Sequence, residues 1–327
     1  MLATALERLS EASGREFPNL LTARRRTEAG LSERRQALSK LATDGDVAVV
    51  LMGSWGRAEV TSASDDDFMV LLRGDQRAEP RPSVDDVGAV LDNPPGDQGI
   101  FGAPVASRQL VENIGLEEDS NTNHSRRMLL LLESVPVAGD AVHARVVSEV
   151  VERYLDASVK DYRPPRFLLN DLVRYWRTIC VDFAGKEHRG PEKWGIRNAK
   201  LRTSRKVLFA GGLLPVLGCA AFERGEMRRF LVTQLGLPPT DRIAESFLAR
   251  GAADEGGRAL GAYDDFLGLM DDQSFRMELS EVTRGTAKES SAFQDAARLG
   301  EDLERGLLAL LFETDSLRNL TRDYLVF

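Results

Sequence analysis

Two short apolar runs, Val47–Met52 (Val-Ala-Val-Val-Leu-Met) and Phe68–Leu72 (Phe-Met-Val-Leu-Leu), most limit what this chain folds into. Both are too short for a helix and apolar throughout, the pattern of strands buried on both faces. Asp44-Gly45-Asp46 signals a turn before the first run, and Gly53-Ser54 ends it. Helical spacing precedes them across residues 1–43, through Leu2, Leu6 and Leu9 and then Leu20, Leu31, Leu38 and Leu41. After them, residues 74–83 read as loop and 84–91 as a helix stopped by Pro94-Pro95. Residues 99–114, with Val105, Leu110 and Val111, are expected to hold at least one strand. Helices are expected over 125–133, with Ser125 as N-cap, and over 144–155.

The composition changes character at Lys160-Asp-Tyr-Arg-Pro-Pro-Arg166, where two prolines forbid a continuous helix. Beyond it the pattern is helical over 168–184, 196–214, 226–235, 243–249, 263–270, 291–311 and 317–324. Gly185, Gly190, Pro238-Pro239 and Gly256-Gly257 read as punctuation. The expected organisation is an α/β domain over 1–157 and an all-α domain over 158–327.

The chain has 327 residues, 43% hydrophobic and 29% charged, the balance of a globular protein. Its net charge of -8 argues against a dedicated nucleic-acid coat. Cys180 and Cys219 have no metal-type spacing and read as reduced thiols. The N-terminus lacks a signal peptide's apolar core, and the longest apolar run, 207–221, falls short of the ~20 residues that span a bilayer. A cytoplasmic protein with no membrane partner is expected.

Chemistry concentrates between the two strands. A glycine after a buried strand lets the backbone approach a phosphate, and turn amides bind anions. Gly53 fits that role, Ser54 adds a hydroxyl, and Arg57 is expected to reach a phosphate oxygen. Asp65-Asp66-Asp67 opens the second strand. Alternation puts Asp65 and Asp67 on one face and Asp66 on the other. Two carboxylates on one face repel unless a cation lies between them, and Mg²⁺ prefers carboxylates together with substrate phosphates. Asp66 then needs a partner or water of its own.

Strand, Gly53-Ser54, a spacer carrying Arg57 and Ser64, then Asp65 and Asp67 in an apolar strand resembles the signature of the nucleotidyltransferase superfamily, the polymerase-beta-like fold. The bacterial branch of GlnD-like uridylyltransferases, small MNT proteins and nucleotidyltransferase toxins is the most similar. The motif covers residues 51–72, and the looser pattern about 40–140. The usual apolar residue between the two aspartates is here Asp66. The resemblance implies a small mixed sheet flanked by helices, with the C-terminal helical domain closing a cleft over the nucleotide. It implies transfer of NMP from an NTP such as ATP to a hydroxyl of RNA or tRNA, a protein or a small molecule, releasing pyrophosphate. Asp65 and Asp67 would hold Mg²⁺ (two ions, with Mn²⁺ as a substitute), and a toxin–antitoxin or defence role is in keeping. The alternative is a nucleotide-binding regulatory or antitoxin-like protein without catalysis.

The family also supplies a third carboxylate from a neighbouring strand, able to take the proton of the attacking hydroxyl. Glu112, Glu117, Glu118 and Asp119 are the candidates. Asp119 is preferred, because Asp-x-Asn in a loop presents several oxygens. A basic segment, 186–206, holds eight Lys or Arg against two Glu. Arg197, Lys200 and Ser204 share a face if the helix is continuous, suiting phosphates or a nucleic-acid backbone, with Trp194 available to stack on a base. Arg174, Tyr175, Trp176 and Arg177 are placed to face the same cleft. The three histidines, His124, His143 and His188, form no metal set by spacing, and neither a P-loop nor a Gly-x-Ser-x-Gly elbow occurs.

Overall fold

The computed structural model describes residues 3–77, 79–91, 100, 103–156, 158–190 and 192–326. It is 65% helical, beside one small four-stranded mixed sheet. In chain order the elements are α1 (Ala5–Ser13), α2 (Pro18–Leu38), β1 (Val47–Met52), β2 (Phe68–Leu72), α3 (Val84–Gly88), β3 (Val105–Ala106), α4 (Ser107–Glu112), α5 (Asn121–Leu132), β4 (Ser134–Ala138) and α6 (Asp140–Tyr154). There follow α7 (Arg166–Arg189), α8 (Trp194–Arg202), α9 (Ser204–Gly218), α10 (Arg224–Leu235), α11 (Pro239–Leu248), α12 (Ala253–Asp271), α13 (Gln273–Glu281), α14 (Ser291–Leu308) and α15 (Asp315–Thr321). The chain divides into a sheet unit, Ala23–Asp171 with Cys219–Pro238, and a helical unit, Met1–Thr22 with Leu172–Gly218 and Pro239–Phe327.

In the sheet unit the strand order is β3-β2-β1-β4. β1 pairs antiparallel with both β2 and β4, and β3 joins β2 in parallel. Every residue of β1 and β2 is buried. Val47, Val49 and Leu51 share one face of β1 by alternation. They pack in one core with Phe68, Val70, Leu72, Val87, Trp55 and the α2 residues Leu31 and Leu38. α6 packs on β1 and buries Val142, Val146 and Val150.

The helical unit is tied by buried carboxylates. Asp241 accepts from the Leu6 amide at 2.9 Å, and Asp264 accepts from the Leu20 amide at 2.7 Å and from Asn19 at 2.9 Å. Gly256 and Gly257, expected as punctuation, lie inside α12. A methyl at Gly257 would stand 2.6 Å from Ser13, and one at Gly256 2.8 Å from Phe247. These glycines therefore serve close packing rather than a helix end. Gly185 is likewise inside α7.

Other expectations are also corrected. The helical region 1–43 holds one helix for each of its two amphipathic stretches, α1 ending on left-handed Gly14 and α2 ending at Leu38, before Leu41. β4 was not anticipated, since Pro136 reads as a breaker; an edge strand tolerates it, and the register shifts beside it. The strand expected in 99–114 shrinks to Val105–Ala106, with Leu110 and Val111 in α4. Ser120, not Ser125, caps α5; its hydroxyl accepts from the Asn123 amide at 3.1 Å, and Ser125 is buried one turn in. The helix expected over 196–214 breaks at Thr203, whose φ of -124° and ψ of -90° are not helical. α13, capped by Asp272, was unread. No strand occurs after residue 157 among the described residues, as expected. Leu2, Pro94-Pro95, Gly99 and the boundary residue 157 lie outside the described residues. One stretch, Trp194–Ala221, has the length and mean hydropathy (1.2) of a membrane span, but its apolar window is 61% buried in the fold, as in a core helix.

His143 of α6 lies beside the start of β4, with Nε2 2.8 Å from Ser134 Oγ. That hydroxyl donates to the Leu130 carbonyl at 2.6 Å, so the imidazole donates to it from Nε2. Burial pushes His143 down to about 4, against the pull of Asp140. Between the ordinary 6.5 and about 4 the unfolded chain therefore holds a proton that the folded chain does not. The His143 contribution is full above pH 6.5 and is lost as pH falls through that window. Urea titrations across pH 4–7 are expected to show the wild type losing more stability on acidification than His143→Gln.

Candidate active site

The site begins where β1 ends. Gly53 has φ +65°, a left-handed conformation that a side chain resists. The chain then coils tightly: the Trp55, Arg57 and Glu59 amides donate to the Met52, Gly53 and Ser54 carbonyls at 3.3, 3.0 and 2.9 Å. Ser54 is half-buried. At Gly56 the backbone passes so close to the α5–β4 junction that a Cβ would stand 2.0 Å from the Glu133 carbonyl oxygen. The turn is thus seated directly on main chain.

The acidic run faces this turn. The Met52 amide donates to the Asp67 carbonyl at 2.8 Å, so Asp67 sits at the mouth of the β1–β2 ladder. Its Oδ2 lies 3.5 Å from where a Gly53 Cβ would be, which brings the glycine turn and a carboxylate together. Along the run, Asp65 is exposed, Asp66 fully buried and Asp67 half-buried. Asp66 receives Arg34 of α2 through two hydrogen bonds of 2.9 Å, from Nε and Nη2. The same guanidinium lies 4.1 Å over the Trp55 ring, and Trp55 Nε1 donates to the Asp65 carbonyl at 3.1 Å. Gly30 of α2 leaves room for the indole, which a Cβ there would meet at 2.7 Å. Ser64 closes a small turn, its Oγ accepting from the Thr61 amide at 3.0 Å.

The structure draws other candidates elsewhere. Arg57 is largely buried and pairs with Glu59 at 2.9 Å and with Glu133, both buried, rather than extending toward a phosphate. Glu112 ends helix α4, not a strand, and is exposed beside Arg108 at 2.7 Å. Glu117 and Glu118 are exposed in the following turn. Asp119 accepts from Nη1 and Nη2 of the fully buried Arg127 at 3.0 and 2.6 Å. Arg127 also donates to Asp171 at 3.1 Å and to Tyr154 Oη at 2.7 Å, and Tyr154 donates on to Asp171. Burial opposes the Arg127 charge, but the bonds and charge of Asp119, with Tyr154, outweigh it and hold its pKa above the ordinary value. Burial, reinforced by Asp171, pushes Tyr154 well up. Asp119 is therefore one member of a buried neutralising network.

β3, the parallel neighbour of β2, carries no acid. Among the described residues no group of three His, Cys, Asp or Glu is gathered to hold a metal. Asp92 and Asp97 lie outside the described residues. Of the acidic run, Asp67 is the carboxylate shown beside the Gly53 turn, and Asp65 is exposed; Mg²⁺ generally binds through one or two carboxylates plus substrate phosphates and water.

In the helical unit, Arg197 is half-buried and Lys200 exposed on α8, while Ser204 begins α9 and is buried. The break at Thr203 removes the single face expected for the three. Trp194 is a core residue, 8% exposed, with its ring 5.2 Å from Phe293 and 6.4 Å from Phe183. Tyr175 is buried, and Trp176 stacks on Phe209 at 5.4 Å.

Sequence reasoning did not single out Arg34, Trp55, Glu59 or Glu133. The one available signal was Asp66, whose position on the wrong face demanded a partner. No family model, curated protein or solved structure matches this chain. If Asp119 belongs to the Arg127 network alone, Asp119→Ala costs about 3 kcal/mol in a urea titration, as expected for breaking a buried ion pair. Mn²⁺ binding stays unchanged. Lost metal binding at unchanged stability would instead make Asp119 a ligand.

Proposed function

We propose that this chain is a metal-dependent nucleotidyltransferase with a polymerase-beta-like sheet unit, moving NMP from an NTP to an acceptor hydroxyl. The observation that carries the reading is the closeness of Gly53, left-handed at the end of β1, to the Asp67 carboxylate at the mouth of β2. A phosphate-binding turn beside metal-type carboxylates is what substrate triphosphate needs. In this reading Asp65 and Asp67 hold Mg²⁺, or Mn²⁺ in its place. Bound Mg²⁺ supplies charge neutralisation at the α-phosphate and on the leaving pyrophosphate.

The chain's own residues orient the reactants. The turn at Gly53-Ser54 takes the outer phosphates through main-chain amides and the Ser54 hydroxyl. Arg57, held by Glu59 and Glu133, stabilises the turn and leaves phosphate binding to those amides. Arg197 and Lys200 lie on α8 of the helical unit, where their charge suits a phosphate-bearing ligand. The acceptor oxygen bonds to the α-phosphorus, the bond from that phosphorus to the bridging oxygen breaks, and pyrophosphate leaves. The hydroxyl proton passes to water on the exposed Asp65 side. Acceptors of three classes, tRNA or other RNA, a protein side chain, or a small molecule, fit this chemistry, and a toxin or defence role is compatible with it.

A specific observation favours a second reading. β3 lacks a carboxylate and Asp119 is engaged by Arg127, which suits a nucleotide-binding regulatory or antitoxin-like protein without turnover. Incubating the protein with each α-labelled NTP and a cell extract separates the two. Labelled acceptor that disappears in Asp65→Ala/Asp67→Ala is the expected result. Labelling that survives the double substitution would sink the assignment, and Mg²⁺-dependent NTP binding without pyrophosphate release would favour the second reading.

A further inference from the structure

We infer that Arg34 and Trp55 are positioning residues that set how Asp65 and Asp67 are presented to the metal. This rests on the reading of those two aspartates as metal-holding groups. Asp66 stands between them and is fully buried. An ionised carboxylate there persists only if paired, and Arg34 pairs it through both oxygens at 2.9 Å. Side chains alternate at the mouth of the strand, so fixing Asp66 inward fixes its neighbours on the other side. Without Arg34, the buried Asp66 carboxylate loses its two-bond partner and turns toward solvent. In turning it would carry the peptides of Asp65 and Asp67 with it.

Trp55 provides the second hold. Its indole lies under the Arg34 guanidinium and its Nε1–H grips the Asp65 carbonyl, so the acidic run is held both at the Asp66 carboxylate and at the Asp65 main chain. Trp55 is also two residues after Gly53. One ring therefore couples the phosphate turn, the acidic run and helix α2. Arg34→Lys keeps the charge but loses the fork that matches a carboxylate. Trp55→Phe keeps a ring under the cation but deletes the donor to Asp65.

The test is Mn²⁺ titration followed by electron paramagnetic resonance, with a non-hydrolysable NTP analogue present, beside thermal unfolding and metal-free analogue binding. Trp55→Phe and Arg34→Lys are expected to raise the Mn²⁺ concentration for half-saturation about 10-fold, as when an outer partner of a metal ligand is lost. Metal-free analogue binding stays at the wild-type level. Arg34→Gln is expected to be worse; if it does not fold, the two milder variants carry the test. Wild-type Mn²⁺ affinity in both, with only a lowered Tm, would reduce Arg34 and Trp55 to structural residues and overturn the inference. Wild-type Mn²⁺ binding that survives Asp65→Ala/Asp67→Ala, or is absent from the start, overturns the reading of the acidic pair and this inference with it. Binding that is lost in that double variant yet intact in Trp55→Phe and Arg34→Lys overturns this inference alone.

Discussion

A carboxylate buried at the entrance of a strand has to be neutralised, and at Asp66 that demand falls on Arg34. Much of the sheet unit's candidate site follows from this pair. Arg34 draws α2 against the strand mouth, Trp55 fills the space beneath the guanidinium, and Gly30 yields room for the ring. With Asp66 turned inward, its two neighbours are left on the accessible side. The Gly53 turn is meanwhile seated on the backbone of Glu133 and Ser134 at Gly56, so that half of the site rests directly on main chain.

A second buried network does comparable work away from the turn. Arg127, Asp119, Tyr154 and Asp171 join the loop before α5, α5 itself, α6 and the start of α7. One guanidinium serves two carboxylates, with a tyrosine hydroxyl shared between them. Such a set is stable only when every member is satisfied, because any one left alone would be a buried polar group without compensation. The same logic recurs at Arg57, which serves Glu59 and Glu133. In both places the arginine acts as an internal counter-ion.

Which parts of this were legible in the residues depends on the range of the interaction involved. β1 and β2 were readable because burial on both faces leaves an uninterrupted apolar run. That Asp66 faces away from Asp65 and Asp67 followed from strand alternation alone; that its side is the buried one came from the fold. So did its partner, since Arg34 is one of several arginines on α2 and only the fold selects it. Arg57 and Asp119 looked available because no local pattern pairs them: Arg57 meets Glu133 across 76 residues as well as its near neighbour Glu59, and Asp119 meets Arg127, which Asp171 also engages across 44 residues. The break at Thr203 left no glycine or proline to mark it, and the Ser120 cap was masked by the polar Asn121-Thr-Asn-His that opens α5. Glycines misled in the opposite direction: Gly256-Gly257 looked like a stop, yet their lack of side chains is what admits Phe247 and Ser13.

β4 bears on how copies of this chain meet one another. It is the outermost strand on its side of the sheet, where unpaired main-chain groups would normally invite a strand from another molecule. Pro136 removes a donor from that border, and Arg35 occupies the Pro136 carbonyl at 3.1 Å. The irregular register beside it further spoils the repeat that an incoming strand would have to match. A residue that looks like a defect in a strand thus serves as a stopper, closing one border of the sheet to growth by addition of another chain.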